Sequence, residues 1–323
     1  VAVSFTLVLM PKAGDKAVLS EEEAAQEQQQ QPVINIEGGF RGEEDLFQLI
    51  WELYSQGYHR MAYEYAQQFI EEYTMSEMLD EVYYKIGDIL YEWDRESKSL
   101  QYKKARIAYE KAVEIFPENN KVPWALYQIG NTYFKVNLYE EAAKAYHKVI
   151  ERFPTYKELD RVRYKLGLTY LLIREYERSR MEFRKLIDTF PQSVYINNAH
   201  LRIAETYYRQ DDYANAIKHY LSYAERYPES PRLHEVYFRI AKLSEVRKNY
   251  DAAIMYYKRS IGKYPYNEYN ERARFHIGDC YYLANSMDKA RDTYRKIMDE
   301  FPDSPFAGLA AHRIGDTYFN EKL

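Results

Sequence analysis

The chain has 323 residues, of which 46% are hydrophobic and 29% charged, a composition typical of a globular protein. Its 45 basic and 50 acidic side chains are interspersed and give a net charge of −5. Without a basic block to neutralise phosphates, this charge pattern argues against a nucleic-acid partner. Cys280 is the only cysteine, which excludes an intrachain disulfide and a multi-cysteine zinc site.

The amino-terminal part differs from the rest of the chain. Val1 to Met10 is an apolar run of ten residues, too short to span a bilayer. Two interpretations fit it: the remnant of a signal sequence or membrane anchor, or a hydrophobic arm that docks elsewhere. We define residues 1–19 as this arm, which is one route to membrane association. Residues 20–42 are defined as a linker, because Ser20 to Pro32 is acidic, glutamine-rich and has few apolar side chains to bury.

An aromatic-proline pair recurs along the body of the chain. Successive prolines are 37 residues apart in all five intervals. The pairs are Phe116-Pro117, Phe153-Pro154, Phe190-Pro191, Tyr227-Pro228, Tyr264-Pro265 and Phe301-Pro302. A period between about 20 and 50 residues indicates a solenoid or a propeller.

Other positions keep the same register. In one copy, Gly130 is followed by Tyr133, Ala142, Tyr146 and Pro154, at intervals that the later copies repeat with small substitutions. Apolar residues at three- and four-residue spacing flank both small positions, so each copy predicts two amphipathic helices whose backbones approach closely. Proline then ends the second helix of each pair.

The pattern predicts seven helix pairs and a final helix within residues 43–323. The repeats cover about residues 44–74, 77–117, 120–154, 157–191, 194–228, 231–265 and 268–302, and the final helix covers 305–321. Gly87 lies 30 rather than 24 residues before Pro117. We expect the six extra residues, around Asp94 to Gln101, to lengthen a loop.

The order of a small residue, tyrosine, alanine, an aromatic and proline resembles the tetratricopeptide repeat (TPR) over residues 44 to 321. The resemblance implies an all-α, right-handed superhelical solenoid whose first helices line a concave face. Each copy is longer than the usual period of about 34 residues. This longer unit, with the run YPESPRLHEVYFRIA, looks like bacterial envelope TPR proteins such as BamD and the Tol-associated cell-division coordinator. That likeness implies the periplasm or envelope, with the cytoplasm as the alternative.

The first helices are expected to form a binding groove. Positions three before and four after the small residue point into the concave face, and neighbouring positions add mixed charge that includes Lys242 and Arg272. The predicted partner-binding residues are Tyr84, Tyr91, Trp124, Tyr127, Asn131, Phe134, Lys135, Tyr164, Tyr208, Arg209, Phe238, Phe275 and Tyr282. Aromatic and arginine anchors suit an extended or helical peptide. The alternative is that these rings pack between neighbouring repeats.

No motif indicates catalysis, a cofactor or a metal ion. The seven histidines form no HExxH or comparable pair, and the chain has no phosphate-binding glycine loop and no GxSxG elbow. We therefore predict a non-enzymatic scaffold or adaptor that binds a protein or peptide within a bacterial envelope complex. Two alternatives stay open: a structural subunit that self-associates through its solenoid ends, and the non-catalytic repeat region of a larger protein.

Overall fold

A computed structural model of the protein describes residues 42–93, 98–263 and 269–321. The apolar arm and nearly all of the linker lie outside these residues. Within the described ranges the chain forms fifteen α-helices and no strand, which confirms the all-α solenoid. The chain divides into two compact units, one ending at Val136 and the other beginning at Asn137.

The described part of the first unit consists of five helices, each packed against the next along the chain. They are α1 (Glu43–Ser55), α2 (His59–Glu72), α3 (Leu79–Glu92), α4 (Lys98–Ile115) and α5 (Val122–Lys135). Buried side chains recur at helical spacing, as Leu46, Leu49 and Leu53 do along α1. Each helix therefore presents an apolar stripe to its neighbours, and burial of these stripes holds the hairpins together.

The extra residues before Pro117 extend a helix more than a loop. Helix α4 has 18 residues, whereas α3 and α5 have 14 each. The expectation of a longer loop was therefore wrong for the segment from Lys98 to Gln101, which forms the first turn of α4. The buried amide of Gln101 donates a hydrogen bond of 2.7 Å to the carbonyl oxygen of Tyr91. This bond satisfies a carbonyl at the end of α3 that has no partner within its own helix.

The second unit continues the same plan, and its described residues form ten helices, each of which also contacts the next. They are α6 (Tyr139–Arg152), α7 (Leu159–Leu172), α8 (Tyr176–Thr189), α9 (Ile196–Arg209), α10 (Tyr213–Arg226), α11 (Leu233–Val246), α12 (Tyr250–Lys263), α13 (Asn270–Leu283), α14 (Met287–Glu300) and α15 (Pro305–Asn320). Helices α7, α9, α11 and α13 begin 37 residues apart. The sequence period is therefore also the structural period of this unit.

A left-handed residue ends the first helix of each complete pair in the second unit. These residues have φ between 58° and 65° and are Arg174, Asp211, Lys248 and Asn285. In each turn the next backbone N–H donates to the carbonyl five residues earlier, as Glu175 does to Tyr170 at 2.8 Å. This bond satisfies a carbonyl at the helix end and reverses the chain within a few residues.

Candidate functional site

Three of the residues predicted to bind a partner are buried in the first unit. Tyr84 and Tyr127 are each 1% exposed, and Asn131 is buried as well. The Tyr84 hydroxyl donates a hydrogen bond of 3.2 Å to the carbonyl oxygen of Phe116, which joins α3 to the end of α4. The Asn131 amide donates to Gln128 Oε1 at 2.7 Å. Because these side chains have almost no surface, the expectation that they line an open groove was wrong.

The other predicted residues of the first unit keep part of their surface. Tyr91, Trp124 and Phe134 are half-buried, and Lys135 is exposed. The Tyr91 ring lies 5.2 Å from that of Tyr102, centre to centre, so it also packs against α4. A partner role for these four residues stays a prediction.

The predicted residues of the second unit range from buried to exposed. Phe238 is 7% exposed and Phe275 is 8% exposed. Phe275 packs against Phe306 of α15 at 5.5 Å between ring centres, and a partner role for this ring stays a prediction. Tyr164 and Tyr282 are half-buried, whereas Tyr208 and Arg209 are exposed. The side chain of Tyr208 is 46% exposed, more than any other predicted ring.

Tyr208 and Phe238 meet in one cleft of the second unit, which we call the α9–α13 cleft. Its volume is about 340 Å³. The lining residues come from the end of α9, from α10 and α11, and from the start of α13. They are Tyr208, Tyr213, Tyr220, Phe238, Arg239, Lys242, Leu243, Val246, Tyr269 and Arg272. The small exposed edge of Phe238 therefore faces this cleft.

Aromatic rings make the wall of the α9–α13 cleft. The centres of the Phe238 and Tyr269 rings lie 4.8 Å apart, and those of Tyr208 and Tyr213 lie 6.4 Å apart. The Arg272 guanidinium lies 5.9 Å from the centre of the Phe238 ring. Such a wall can hold an apolar side chain while a cation stands at its edge.

The charged residues of the cleft are cations, and two of them have partners outside it. Arg239 pairs with Glu235 at 2.8 Å, and Lys242 pairs with Glu245 at 3.3 Å. Burial disfavours the charged form of Glu235, but the bonds from Arg232 and Arg239 outweigh it and hold the pKa of Glu235 below its usual value. Arg272 forms no ion pair with any residue that the structure describes. The described lining contains no carboxylate, and Arg272 is its one cation that no described ion pair neutralises.

Sequence reasoning found only part of this lining. Tyr208 and Phe238 were predicted as contacts, and Lys242 and Arg272 as adjoining charge. Tyr213, Tyr220 and Tyr269 were missed because the two chosen offsets cover only one stripe of the first helices. Tyr220 belongs to a second-helix column that the repeat pattern assigns to packing, and burial raises its pKa to about 12. For Tyr213 the available signal was the recurrence of tyrosine at the turn within each pair, as at Tyr139, Tyr176 and Tyr250.

Residues 122–316 match the family model of the tetratricopeptide repeat-like domain. The chain belongs to this family. The matched segment is more than half of the sequence and contains the whole α9–α13 cleft. Tetratricopeptide repeat proteins are generally non-catalytic scaffolds for protein-protein interaction. No curated protein matches the chain significantly.

Solved tetratricopeptide repeat structures share the fold at low sequence identity. The C-terminal part of a TPR repeat-containing protein from Cytophaga hutchinsonii has a TM-score of 0.62 at 17% identity, with 82% of this chain and 98% of that chain covered. The apo form of RapI has a TM-score of 0.58 at 13% identity, covering 85% and 82%. A tetratricopeptide repeat protein from Parabacteroides merdae has a TM-score of 0.52 at 14% identity, covering 85% and 98%. These likenesses concern the fold alone.

Three other features bear on function in the described part of the chain: metal-ligating side chains, the single thiol and the length of the apolar helices. No group of three or more histidine, cysteine, aspartate or glutamate side chains is placed to hold a metal ion there. Cys280 is a buried free thiol, and burial raises its pKa to about 12, which disfavours the reactive thiolate. Across the described helices, none is both long and apolar enough to cross a bilayer.

Proposed function

We propose that this tetratricopeptide repeat protein is a scaffold whose α9–α13 cleft receives an acidic peptide segment with one large apolar side chain. The observation that carries the proposal is the combination in one cleft of an aromatic wall and one exposed cation, Arg272, that forms no ion pair with the described residues. Tyr208 and Phe238, selected from the repeat pattern, both line this cleft. A site of this kind offers both an anchor pocket and a charge preference to a partner.

The volume of the cleft sets the size of what it can hold. A volume of about 340 Å³ is near the lower end of ligand pockets, which span roughly 300–1,000 Å³. One phenylalanine, leucine or tyrosine side chain fits against Phe238 and Leu243, while the rest of the peptide lies along the exposed surface near Tyr208. The peptide is thus held by one anchor and by its flanking charges.

The cations decide which flanking residues are favoured. Arg272 is exposed and forms no ion pair with the described residues, and the Lys242 side chain is 40% exposed. A carboxylate placed beside the anchor can pair with Arg272 without breaking an existing contact. Glu235 and Glu245 already neutralise Arg239 and Lys242 in part, so one or two acidic residues suffice and a long acidic tract adds little.

Selection from a phage-displayed random peptide library, followed by binding measurements with fluorescent synthetic peptides, tests this proposal. We expect enrichment of a large apolar residue flanked by aspartate or glutamate, and affinities that fall as salt rises. The double variant Lys242→Glu/Arg272→Glu should weaken binding at least tenfold. The matched variant Lys258→Glu/Arg259→Glu, with exposed residues on α12, should bind like the unmodified protein. Equal binding by both variants would refute the proposed cleft.

The proposed setting is a bacterial cell-envelope complex of the BamD or Tol-associated type. It is supported by the 37-residue unit and the run from Tyr227 onward that resembles those envelope proteins. Fractionation of the native cell with compartment markers tests it. Recovery with periplasmic or outer-membrane markers supports the setting, and recovery with cytoplasmic markers rejects it without affecting the cleft.

A further inference from the structure

A single short turn carries the two tyrosines that form one side of the α9–α13 cleft. Tyr208 lies near the end of α9 and Tyr213 begins α10, with the left-handed residue Asp211 between them. Both rings line the cleft, and their centres lie 6.4 Å apart. The geometry of this turn therefore decides where that side of the cleft stands.

Asp211 contacts each of the two tyrosines through a different part of the residue. Its backbone N–H donates a hydrogen bond of 3.0 Å to the carbonyl oxygen of Tyr208. Its side-chain oxygen Oδ1 accepts a hydrogen bond of 2.7 Å from the hydroxyl of Tyr213. The first bond fixes the end of α9, and the second fixes the far end of the Tyr213 ring. One residue thus ties both rings to the same turn.

The neighbouring aspartate leaves the Asp211 side chain available for this contact. Oδ1 of Asp212 accepts a hydrogen bond of 3.2 Å from the backbone N–H of Asn215 and so caps α10. Asp211 has a φ of 59°, a left-handed conformation that aspartate, asparagine and glycine adopt more readily than other residues. Its carboxylate forms no ion pair with any residue in the described ranges. The contact with Tyr213 is therefore the printed role of this side chain within the turn.

The combination of an acceptor and a phenol is not common to every repeat. Five described turns contain a left-handed residue other than glycine, and the residue two positions later begins the next helix. The side chains of Arg174 and Lys248 contain no acceptor, and a methionine stands two positions after Asn285. Apart from Asp211, the contact occurs at Asn137, whose Oδ1 accepts a bond of 2.7 Å from the Tyr139 hydroxyl. Neither of these two residues lines the α9–α13 cleft.

The bond to Asp211 determines what Tyr213 offers to a ligand. A phenol has one hydrogen to donate, and Asp211 accepts it. The hydrogen bond to the carboxylate raises the pKa of Tyr213, which keeps the phenol neutral. Within the cleft Tyr213 is therefore an aromatic wall and not a hydrogen-bond donor.

We propose that Asp211 is a positioning residue of the α9–α13 cleft, which holds the Tyr213 ring in place as a wall for the apolar anchor of the peptide. This role rests on the proposed function of the cleft. A ring that is already fixed loses little rotational freedom when the peptide arrives, so the peptide binds more tightly than it would to a mobile ring. Asp211 does not itself line the cleft, so it acts through Tyr213.

Two neutral replacements of Asp211 separate the hydrogen bond from the charge. Asparagine keeps an acceptor and tolerates the left-handed conformation, whereas glycine keeps the conformation alone. The probe is the fluorescein-labelled peptide Gly-Ser-Asp-Phe-Asp-Ser-Gly, whose anisotropy is followed during titration with the full chain. Asp211→Gly should bind it about threefold or more weakly than Asp211→Asn, as loss of one hydrogen bond predicts. In the Tyr213→Phe background, which lacks the hydroxyl, the two replacements should bind equally.

Asn137→Gly is the matched control, because it removes the same kind of bond from a turn outside the cleft and should leave the affinity unchanged. Urea unfolding shows that each variant is folded under the conditions of the titration. If Lys242→Glu/Arg272→Glu does not weaken binding of the probe, the proposed function of the cleft fails, and the role of Asp211 with it. If that double variant weakens binding but Asp211→Gly and Asp211→Asn bind equally, or still differ in the Tyr213→Phe background, the positioning role alone is overturned.

Discussion

The phenolic oxygen of Tyr294 lies 2.8 Å from Asp279 Oδ1, and the same ring covers Gly278. Asp279 also lies 3.3 Å from Arg313 Nε on α15, so one carboxylate joins three successive helices. Burial raises the pKa of Asp279, although the tyrosine and the arginine act in the opposite direction. The contact combines a steric requirement for glycine with a polar anchor, and each part predicts a measurable effect.

Gly278→Ala should destabilise the second unit. The added methyl would collide with the Tyr294 ring, and overpacking of this kind costs about 1–3 kcal/mol. Gly262→Ala is the control, because nothing lies within 4 Å of a Cβ there and alanine favours the helix by about 0.5–1 kcal/mol. Urea unfolding followed by circular dichroism measures both. The steric account fails if the two variants shift the transition in the same direction.

Arg180→Met should also destabilise the second unit, although arginine is usually a surface residue. Arg180 is 2% exposed and donates to Thr206 Oγ1 at 3.0 Å and to Gln210 Oε1 at 2.6 Å, and its guanidinium lies 4.2 Å from the Tyr207 ring centre. Loss of these bonds and contacts should cost about 1–3 kcal/mol.

Arg178 provides the matched control on the same helix. Its side chain is 60% exposed, so Arg178→Met should change the free energy of unfolding by no more than about 0.5 kcal/mol. Thermal or urea unfolding of the two variants distinguishes them. Equal stability would show that the buried guanidinium contributes nothing beyond its apolar stem.

His276 should make stability depend on pH. Burial lowers the pKa of His276 to about 4, and its ring stacks on Tyr257 with centres 5.4 Å apart. A free histidine has a pKa near 6.5, so the unfolded chain takes up this proton first. The stability that this group contributes is fully present above pH 6.5 and is lost as the pH falls toward 4.

We expect this loss to be roughly 1–3 kcal/mol between pH 7 and pH 4.5, measured as the free energy of unfolding in urea. The ring is also surrounded by Glu245, Lys242 and Asp279, whose charges can contribute to the pH dependence. The contribution of His276 is therefore the difference in acid-induced loss of unfolding free energy between the unmodified protein and the His276→Phe variant. His312→Gln, at a side chain that is 78% exposed, should retain the pH dependence of the unmodified protein. A His276→Phe variant with the full acid dependence would exclude this histidine as its source.

The periodicity of the chain was enough to predict the helix pairs, because each pair buries its own apolar stripe. The periodicity could not predict which aromatic rings of one helix pair are covered by the adjacent helix pair. Phe238 and Tyr208 occupy the two offsets chosen for the groove, yet Phe238 is covered by Tyr269 from the start of α13 while Tyr208 stays open. That difference arises from contact between repeats, which a pattern within one repeat does not contain.

The left-handed turns and the burial of Arg180 could not be predicted from the sequence, for related reasons. The left-handed turns occur at Arg174 and Lys248 as well as at Asp211 and Asn285, and arginine and lysine do not signal such a conformation. Arg180 stands one position after the small residue of its helix, where two other copies have Arg106 and Arg291 and the remaining copies of this column have alanine or isoleucine. Its burial depends on Thr206 and Gln210 in the following helix, so charge alone suggested a solvated face.

The proposal that the α9–α13 cleft binds an acidic peptide through one apolar side chain is tested most directly by locating a bound peptide on the protein. A peptide selected against the protein carries benzoylphenylalanine at its apolar anchor, is cross-linked by light, and the attachment points are identified by mass spectrometry. The account predicts attachment to residues of the α9–α13 cleft, such as Phe238, Leu243 or Val246, and its loss in the Lys242→Glu/Arg272→Glu variant. Attachment confined to other surfaces, or attachment unchanged in that variant, would contradict it.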